Sequence, residues 1–329
     1  MLGVDLSISM EDRPVPAIGV NDVLVEVRSV GVCGSDIHYF ESGRIGDFVV
    51  EAPLVLGHEA SGSVVAVGEG VTDLPVGSRV ALEPGVPCGS CRDCRRGAYN
   101  VCPEVRFFAT PPVDGAFCDF VVLPRAFVHP VPDHVSWDAA ALVEPLAVGV
   151  WACGKGGVTS GSQVLVTGAG PIGVIVGLVA RAQGAASVVV SDVNSDRRAF
   201  ADSLGLTSVD AVVDELPEVD VLVECSGARA AIHGGIGSVR PGGRVVLVGM
   251  SSTGVVDLPV GLLQSRELWL TGTFRYAHAY PAAIGLLASG RVSVDSLVSK
   301  TFSLEQVREA LEFGRAHPDA MKVIVRVSE

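Results

Sequence analysis

The sequence is poor in aromatic and in basic residues. Aromatic side chains make up 5% of its 329 residues, and 24 lysines and arginines stand against 37 aspartates and glutamates. Nucleic acids and anionic membrane surfaces repel a protein with the resulting net charge of -13, so both are poor candidates as partners. We therefore expect chemistry on a small-molecule substrate, with no nucleic acid and no membrane as a partner.

Signals for export or membrane insertion are also missing. Residues 1–13 have neither a basic start nor an apolar block, so we expect no secretory signal. The longest uncharged run, residues 156–180, contains seven glycines and a proline, which indicates strand, turn and buried helix and not a membrane span. We expect a cytoplasmic protein whose eight cysteines are thiols or metal ligands, because disulfides are rare there.

The length and the pattern of elements fit two domains. Up to about residue 145, short β-rich runs alternate with Gly, Pro and Asp turns, typical of an antiparallel barrel or sandwich. From about 149 to 273, apolar strands alternate with alanine-rich helical stretches, as in parallel βαβ units. After residue 276 come two amphipathic helices and a final strand, 322–327, that could return to the first domain.

Cys33, His58 and Glu59 provide a thiol, an imidazole and a carboxylate. These are the three ligand types that hold a catalytic zinc while leaving one coordination position open. Adjacent residues of an extended segment point to opposite faces. His58 and Glu59 can therefore share a metal only at a bend, which the preceding Gly57 permits. Taken alone, the three residues are also compatible with a buried apolar thiol and an ordinary polar pair.

A glycine-rich turn follows an apolar predicted strand. Gly168, Gly170 and Gly173 have the spacing Gly-x-Gly-x-x-Gly, Pro171 and Ile172 stand between the last two, and a helix of Val, Ile, Leu and Ala follows. The glycines permit a tight turn and close approach of the backbone to a pyrophosphate, and the helix N-terminus favours the anion. The turn predicts binding of a dinucleotide.

Asp192 closes the next predicted strand, about twenty residues on, where a ribose-binding acid is expected. Its carboxylate would accept hydrogen bonds from ribose hydroxyls and would repel a 2′-phosphate. This predicts NAD in preference to NADP. Arg197 and Arg198 follow closely, and a cation there could instead accommodate a 2′-phosphate or stack on adenine.

Cys88, Cys91, Cys94 and Cys102 place four thiols in one short loop. Four thiolates in tetrahedral geometry satisfy zinc completely, which predicts a closed, structural zinc site. An iron-sulfur cluster is the main alternative, because Pro103 follows the last cysteine as in ferredoxins, although the last spacer is longer than the ferredoxin one. Zinc is favoured, and a brown colour of the purified protein would reverse that.

These features together resemble the zinc-dependent medium-chain dehydrogenase/reductase family, and most closely its sorbitol (polyol) dehydrogenase branch. The resemblance spans nearly the whole chain. Its specific runs are Gly31-Val-Cys-Gly-Ser-Asp-Ile-His-Tyr, Gly43-Arg-Ile-Gly-Asp-Phe-Val-Val, Leu56-Gly-His-Glu-Ala-Ser-Gly, Leu82-Glu-Pro-Gly, Phe107-Phe-Ala-Thr-Pro-Pro, Glu144-Pro-Leu and Phe274-Arg-Tyr. The first, third and fourth runs are similar to many members of the wider family, whereas the second, fifth and last are similar to the polyol branch.

The resemblance implies an α/β fold class in two domains. A GroES-like, β-rich catalytic domain would occupy 1–148 and 274–329, and a Rossmann domain with a doubly wound parallel sheet would bind NAD at 149–273. The active site would lie in the cleft between them. There the substrate hydroxyl is polarised by zinc, and hydride passes to the nicotinamide.

The resemblance also implies roles for the polar residues near the metal. Cys33, His58 and Glu59 would bind the catalytic zinc, and Glu144 would bind the metal or its water. Several anions beside one zinc are energetically unfavourable. We therefore expect Glu59 and Glu144 to exchange the role of zinc ligand, or to share the metal through a water molecule. A relay would take the proton to Ser35 and then to His38, and Asp36 would orient His58. Ordinary polar core residues are the alternative for the relay pair.

A substrate pocket with aromatic walls and a few donors is implied as well, which suits a chain of hydroxyls. Its predicted lining is Tyr39, Phe48, Phe107, Thr110, Glu144, Arg275 and Tyr276. Phe48 and Phe107 could instead be core residues. The predicted cofactor contacts outside the glycine-rich turn are Asp192, Arg197, Ser226, Val248, Gly249, Met250, Thr273, Phe274 and Arg275.

The leading hypothesis is oxidation of a secondary hydroxyl of a polyol, such as sorbitol or xylitol, to a ketose by a homo-oligomer (dimer or tetramer). A sibling dehydrogenase acting on butanediol, L-threonine or an amino alcohol is the second hypothesis. A catalytically silent binding or structural protein on the same fold is the third, and the intact candidate ligands disfavour it.

The chain departs from the family pattern in two ways. Family members usually have another strand's worth of residues before the segment that begins here at Met1. This chain also keeps the four-cysteine lobe, which animal sorbitol dehydrogenases lack.

Overall fold

The structure is a computed structural model that describes residues 1–251 and 254–328. The chain divides into two compact units. The first is Met1–Glu144 together with Leu287–Glu329, and the second is Pro145–Leu286. Each unit contains its own sheet.

The sequence places the domain divisions at 148/149 and 273/274, which differ from the limits of the compact units. The last residue of the predicted first domain, Glu329, lies outside the described residues. In the ranges that the structure describes, no helix is both long enough and apolar enough to cross a membrane.

Short strands dominate the first 144 residues. The elements in chain order are β1 (Asp22–Gly31), α1 (Gly34–Ser42), β2 (Arg44–Ile45), β3 (Phe48–Val49), β4 (Glu59–Val67), β5 (Arg79–Leu82), β6 (Gly85–Val86), α2 (Arg92–Arg95), a 3-10 helix (Tyr99–Val101), β7 (Arg106–Phe107), β8 (Phe120–Pro124), a 3-10 helix (Arg125–Phe127), β9 (Val128–Pro130) and α3 (Trp137–Ala141).

Helices and strands alternate through the middle of the chain. The elements are α4 (Val143–Gly156), β10 (Gln163–Thr167), α5 (Pro171–Ala182), β11 (Ser187–Asp192), α6 (Ser195–Ser203), β12 (Thr207–Asp210), β13 (Val219–Glu224), α7 (Arg229–Gly237), β14 (Val239–Leu247), α8 (Val260–Ser265), β15 (Trp269–Gly272) and α9 (Tyr280–Ala288). The tail contributes a 3-10 helix (Asp295–Leu297), β16 (Val298–Ser303), a 3-10 helix (Leu304–Gln306), α10 (Val307–Ala316) and β17 (Lys322–Arg326).

The sheet of the first unit has the order β16-β17-β1-β4-β5-β9, and β8 also pairs with β1. All its pairs are antiparallel except β16 with β17. Val23, Val25 and Val27 alternate along β1 and are fully buried, because side chains two apart share one face of a strand. This alternation anchors the core of the predicted β-rich domain.

Strand β1 lies between β4 and the C-terminal strand β17. Its last residue, Gly31, is the register partner of Glu59 on β4 and of Ile324 on β17. The backbone continues this pairing, since Val32 N–H donates to the Val323 carbonyl at 2.9 Å. The tail therefore completes the sheet at the point where the candidate metal ligands begin.

The second unit contains a six-stranded sheet in the order β12-β11-β10-β13-β14-β15, and every pair is parallel. Val164, Leu165 and Val166 of the central strand β10 are fully buried, as expected where helices cover both faces of a parallel sheet. The order reverses beside β10, which is the topological switch point of a doubly wound sheet. The predicted Rossmann architecture is confirmed.

Candidate active site

Cys33 caps the N-terminus of α1. Its backbone is extended (φ -103°, ψ 157°), and it forms a capping box with Asp36, in which each side chain accepts a hydrogen bond from the other residue's backbone N–H. The Asp36 Oδ2 to Cys33 N distance is 2.9 Å. The sulfur is thereby fixed at a helix N-terminus, a position that favours an anion.

His58 directly precedes β4, and Glu59 is the first residue of that strand. Gly57 has φ +86°, and a Cβ there would lie 2.9 Å from Val30 Cγ1 and 3.0 Å from the Phe117 ring. A larger residue would therefore be strained and crowded. Gly57 therefore has a backbone conformation that favours glycine directly before the two candidate ligands.

The donor atoms of Cys33, His58 and Glu59 lie within 4.8 Å of one another. A thiolate, an imidazole nitrogen and a carboxylate oxygen are the zinc ligands of catalytic sites, with bond lengths of about 2.0–2.3 Å. Glu59 Oε2 is buried and accepts no hydrogen bond that meets the geometric criteria, although the Lys322 ammonium lies 2.6 Å away. Because this oxygen lies with a thiol and an imidazole nitrogen in one compact group, the residues fit a zinc ion.

Asp36 connects the two segments that carry these donors. Its carboxylate is fully buried and accepts hydrogen bonds from Cys33 N and, through Oδ1, from Gly57 N, both at 2.9 Å. Oδ1 also lies 3.7 Å from His58 Nδ1. Burial alone would lower the pKa of His58, but the Asp36 carboxylate and Cys33 raise it well above its usual value.

A buried lysine contacts Glu59, and the sequence reasoning missed it. Lys322 Nζ lies 2.6 Å from the Glu59 carboxylate and donates a hydrogen bond to the Val32 carbonyl at 2.8 Å. Burial lowers the pKa of Lys322, but Glu59, Cys33 and Glu144 raise it above its ordinary value. The only sequence signal is a charged residue inside the apolar run Met-Lys-Val-Ile-Val.

Glu144 is the last residue of the first unit and lies in the first turn of α4. It is 6% exposed, and its charge acts on Lys322. Among the described residues, the group of converging donors contains Cys33, His58 and Glu59 without Glu144.

Ser35 and His38 both lie on α1, three residues apart and hence on neighbouring turns of one face. Ser35 is half-buried, whereas His38 is exposed. The helix therefore leads from the side of Cys33 towards solvent.

The predicted pocket residues of the first unit have different surroundings. The Phe107 ring lies 5.7 Å from the His58 ring, centroid to centroid, and the Thr110 N–H donates to the Phe107 carbonyl at 3.1 Å. Tyr39 is 3% exposed and belongs to the hydrophobic core. Phe48 is 45% exposed on the short hairpin β2–β3. Phe107 thus lies close to a candidate ligand, and the backbone of Thr110 is hydrogen-bonded to that of Phe107.

Cys88, Cys91, Cys94 and Cys102 converge between β6 and β7. Three of their Sγ–Sγ distances are 3.6, 3.9 and 4.0 Å, and four sulfurs bound to one zinc would lie about 3.8 Å apart. A disulfide would need about 2.05 Å. Backbone N–H groups of Ser90 and Cys91 lower the pKa of the Cys88 thiol to about 6. The four-cysteine loop fits a structural zinc.

A buried carboxylate joins the four-cysteine loop to the sheet. Glu83, which follows β5, is 3% exposed. Its Oε1 accepts a hydrogen bond from the Tyr99 hydroxyl at 2.7 Å, and its Oε2 lies 2.8 Å from His129 Nε2 on β9. Tyr99 lies within the loop itself, so Glu83 attaches the loop to two strands.

The glycine-rich turn of the second unit has the geometry that its spacing predicts. Gly168 has φ +91°, and a Cβ at Gly173 would lie 1.7 Å from the Gly168 carbonyl oxygen. Gly170 is the N-cap of α5 and Pro171 its first residue, and Ile172 follows. Backbone N–H groups at this helix start can receive a pyrophosphate.

Asp192 lies at the carboxyl end of β11, beside this turn. Its carboxylate accepts hydrogen bonds from Ala169 N at 2.7 Å and from Asn194 N at 2.8 Å. Arg198 donates to the Asp192 carbonyl and forms a 2.8 Å ion pair with Asp210. The Arg197 guanidinium reaches the turn, 3.6 Å from the Cβ position of Gly170.

Glu224 is a second buried carboxylate at the same edge, and the sequence reasoning gave it no role. It is fully buried at the end of β13 and accepts hydrogen bonds from the backbone N–H and hydroxyl of Ser226 and from Gly227 N. A Cβ at Gly249 would lie 2.2 Å from Gly227 N. A buried acid that closes a strand, followed by Ser-Gly, was the available signal.

The remaining predicted cofactor residues lie on neighbouring strand ends of the second unit. Val248 N and Gly249 N donate to the Glu224 carbonyl, and Thr273 N donates to the Leu247 carbonyl at 2.9 Å. Met250 is 68% exposed. These residues therefore flank Ser226 at one edge of the parallel sheet.

Phe274, Arg275 and Tyr276 follow Thr273 directly in the second unit. The Arg275 guanidinium lies 4.6 Å from the centre of the exposed Phe274 ring. Arg275 has φ +53°, and Tyr276 is buried with its ring 5.6 Å from that of Tyr280.

Comparison with known proteins agrees with this geometry. Residues 19–133 match the alcohol dehydrogenase GroES-like domain, and residues 171–289 match the zinc-binding dehydrogenase family. Sorbitol dehydrogenase from Homo sapiens is 46% identical over 92% of this chain and 88% of the relative. Sorbitol dehydrogenase from Bacillus subtilis is 42% identical over 93% of this chain and 90% of the relative.

A solved structure shares the whole fold. ECK1772 from Escherichia coli, an oxidoreductase/dehydrogenase of unknown specificity involved in membrane biogenesis, has a TM-score of 0.94 and 33% identity, covering 100% of this chain and 98% of its own. The GroES-like and Rossmann domains implied by the sequence are confirmed. The chain belongs to the zinc-binding dehydrogenase family, in its sorbitol dehydrogenase-like branch, and is a zinc- and nicotinamide-dependent oxidoreductase.

Proposed function

We propose that this protein oxidises a secondary hydroxyl of a polyol such as sorbitol or xylitol to a ketose, with NAD as the acceptor. The main observation in support is that the donor atoms of Cys33, His58 and Glu59 lie within 4.8 Å of one another. Identity of 42–46% to sorbitol dehydrogenases favours a polyol over butanediol, L-threonine or an amino alcohol.

Cys33, His58 and Glu59 would hold a catalytic zinc, which when bound polarises the substrate hydroxyl and lowers its pKa. Asp36 keeps His58 in the required orientation through its contacts with Gly57 and the imidazole. Glu144 is a further acid beside these residues. It would bind the zinc in exchange with Glu59 or through a water molecule. Its charge acts on the lysine that contacts Glu59.

Ser35 would accept the proton that the substrate hydroxyl releases, and His38 would pass it to solvent. The half-buried position of Ser35 and the exposed position of His38 on α1 support this direction. Phe107 and Thr110 would form the pocket wall beside His58. Tyr39, Phe48, Arg275 and Tyr276 are proposed to complete the pocket.

NAD would bind at the glycine-rich turn through Gly168, Gly170, Pro171, Ile172 and Gly173, and its nicotinamide would accept the hydride of the substrate. The Asp192 carboxylate, held by backbone N–H groups at the edge of that turn, favours ribose hydroxyls and repels a 2′-phosphate. Arg197, whose guanidinium reaches the glycine-rich turn, is the arginine proposed as a cofactor contact, whereas Arg198 forms an ion pair with Asp210. Ser226, Val248, Gly249, Met250, Thr273, Phe274 and Arg275 are the other proposed contacts.

The cytoplasm is the proposed compartment, and a homo-oligomer (dimer or tetramer) is the proposed assembly. Free thiols at all eight cysteines agree with a reducing compartment. Strand β15 ends the described parallel sheet and carries Trp269, which is 69% exposed. An open sheet edge with an apolar side chain is suited to contact with a second copy. The domain limits 1–148 with 274–329, and 149–273, remain part of the proposal.

A substrate panel at a fixed concentration of NAD or NADP tests the proposal. We expect the highest kcat/KM with sorbitol or xylitol and NAD, formation of the ketose, and two zinc ions per chain. Faster turnover of 2,3-butanediol or L-threonine would assign the sibling function instead. Preference for NADP would overturn the role of Asp192. Absence of turnover together with a single zinc per chain would support the catalytically silent alternative.

A further inference from the structure

Lys322 is a buried cation that none of the proposed steps uses. It is 4% exposed on β17, and lysine is rarely buried unless an anion pairs with it. Its ammonium contacts the Glu59 carboxylate at 2.6 Å and the Val32 carbonyl at 2.8 Å. The partner is therefore one of the proposed zinc ligands.

The strand order explains how the two side chains meet. Glu59 lies on β4 and Lys322 on β17, and both strands pair with β1 near Gly31, which is the register partner of Glu59. Lys322 lies two residues from Ile324, the other partner of Gly31, and hence on the same face. A Cβ at Gly31 would lie 2.0 Å from Glu59 Oε2. The missing side chain of Gly31 makes room for the ion pair.

The three anions that act on Lys322 would be neutralised beside a zinc ion only when the lysine is included, whereas Asp36, a fourth buried acid, contacts His58 and two backbone N–H groups. A thiolate at Cys33 and carboxylates at Glu59 and Glu144 carry three negative charges, and a zinc ion would supply two positive ones. All three anions act electrostatically on the Lys322 ammonium. Because buried charge is unfavourable unless compensated, the lysine supplies the third positive charge.

We propose that Lys322 is a positioning residue of the metal site, which holds Glu59 and balances the third anion, and so sets the zinc affinity and the pH profile of oxidation. The inference rests on the proposed assignment of Cys33, His58 and Glu59 to the catalytic zinc. Its direction follows from charge: an ammonium beside a divalent cation repels it, and it also favours deprotonation of a hydroxyl at the same place.

The test compares zinc release from the full-length holoenzyme with an excess of a chelator. Lys322→Gln keeps a hydrogen-bond donor but removes the charge, and we expect its catalytic zinc to leave more slowly, on the order of tenfold. The alkaline rise of kcat/KM should move to higher pH by about one unit. Lys322→Arg keeps the charge and should restore both values.

Two references make the comparison specific. Lys300→Met removes an exposed lysine on the neighbouring strand β16 and should change neither value. The zinc of the four-cysteine loop should leave at the wild-type rate in every variant. If Lys322→Gln does not fold, the same measurements on Lys322→Met test the proposal.

Unchanged or faster release of the catalytic zinc from the charge-free variants would overturn the inference. So would a Lys322→Arg variant that behaves like Lys322→Gln, because the charge would then not be the cause. A wild-type protein that holds zinc only in the four-cysteine loop would contradict the proposed function itself, which the zinc content reports before any variant is made.

Discussion

The first unit contains two clusters of potential metal ligands that are built in opposite ways. Cys33, His58 and Glu59 come from the start of a helix and the start of a strand, and two of them are buried. The four cysteines come from one loop between β6 and β7, and three of them are only half-buried. The fold brings the residues of the first cluster together from separate elements, whereas the four cysteines of the second cluster lie close together in one loop.

This difference predicts separate roles for the two clusters, one in catalysis and one in the stability of the protein. Asp36 joins both segments of the first cluster, because the backbone N–H groups of Cys33 and Gly57 donate to its carboxylate. The four-cysteine loop has short secondary structure and converging sulfurs, and such loops depend on metal for folding. We expect the first cluster to carry the chemistry and the second to carry stability.

The largest effect is expected from Cys33→Ser. Loss of the thiolate removes a zinc ligand, so kcat should fall by more than about 1,000-fold while the Tm stays close to that of the wild type. Steady-state kinetics and thermal unfolding measure the two quantities. Cys118→Ser, a half-buried cysteine outside both clusters, is the matched control. A large fall in Tm for Cys33→Ser would erase the distinction between the clusters.

Cys91→Ser should produce the opposite phenotype. Opening the four-cysteine loop should reduce the free energy of unfolding by more than about 3 kcal/mol, or lower the Tm by about 10 °C. The kcat measured before unfolding should remain within about twofold of the wild type. Calorimetry measures the loss of stability, and the zinc content shows whether the loop has lost its metal. Inactivity with an unchanged Tm would mean that the two roles are exchanged.

Asp36→Asn tests how far the fold assembles the first cluster. The amide accepts weaker hydrogen bonds and no longer orients His58, so zinc affinity at that site should fall about 10- to 100-fold. Competition with a chromogenic chelator measures the affinity. Asp47→Asn, at an exposed acid, should bind zinc normally. An unchanged affinity for Asp36→Asn would show that the metal itself orders its ligands there.

The smallest effect is expected from Tyr99→Phe. The change removes the hydroxyl that donates to the buried Glu83 and should lower the free energy of unfolding by about 1–2 kcal/mol. Zinc should also leave the four-cysteine loop faster, whereas the Cys33 site should be unaffected. Urea unfolding and metal release measure both. No change in either would mean that Glu83 does not attach the loop.

Local signals allowed much of this to be predicted from the sequence. Glycine spacing gave the nucleotide turn because Gly168 and Gly173 must lack side chains for the chain to fold back on itself. Cysteine spacing predicted the four-cysteine loop, and Gly57 indicated an unusual backbone conformation before His58. Each depends on residues close in sequence, where backbone geometry limits the possibilities.

What sequence reasoning missed depends on register between distant strands. Lys322 meets Glu59 only because β17 and β4 both flank β1 at Gly31, and no local pattern reports that pairing. Glu224 was missed for a different reason, because the backbone N–H groups of Ser226 and Gly227 donate to its carboxylate only in a local turn that the residue types alone do not specify.

The missing side chain at Gly31 also restricts the order in which this site could change during evolution. A methyl group there would lie 2.0 Å from Glu59 Oε2, so Gly31→Ala would displace the Glu59 carboxylate from its ion pair with Lys322. The change becomes easier once the glutamate is shortened or lost, but Lys322 would then be a buried cation without its carboxylate. Three positions on three strands are therefore expected to change together or to stay as they are.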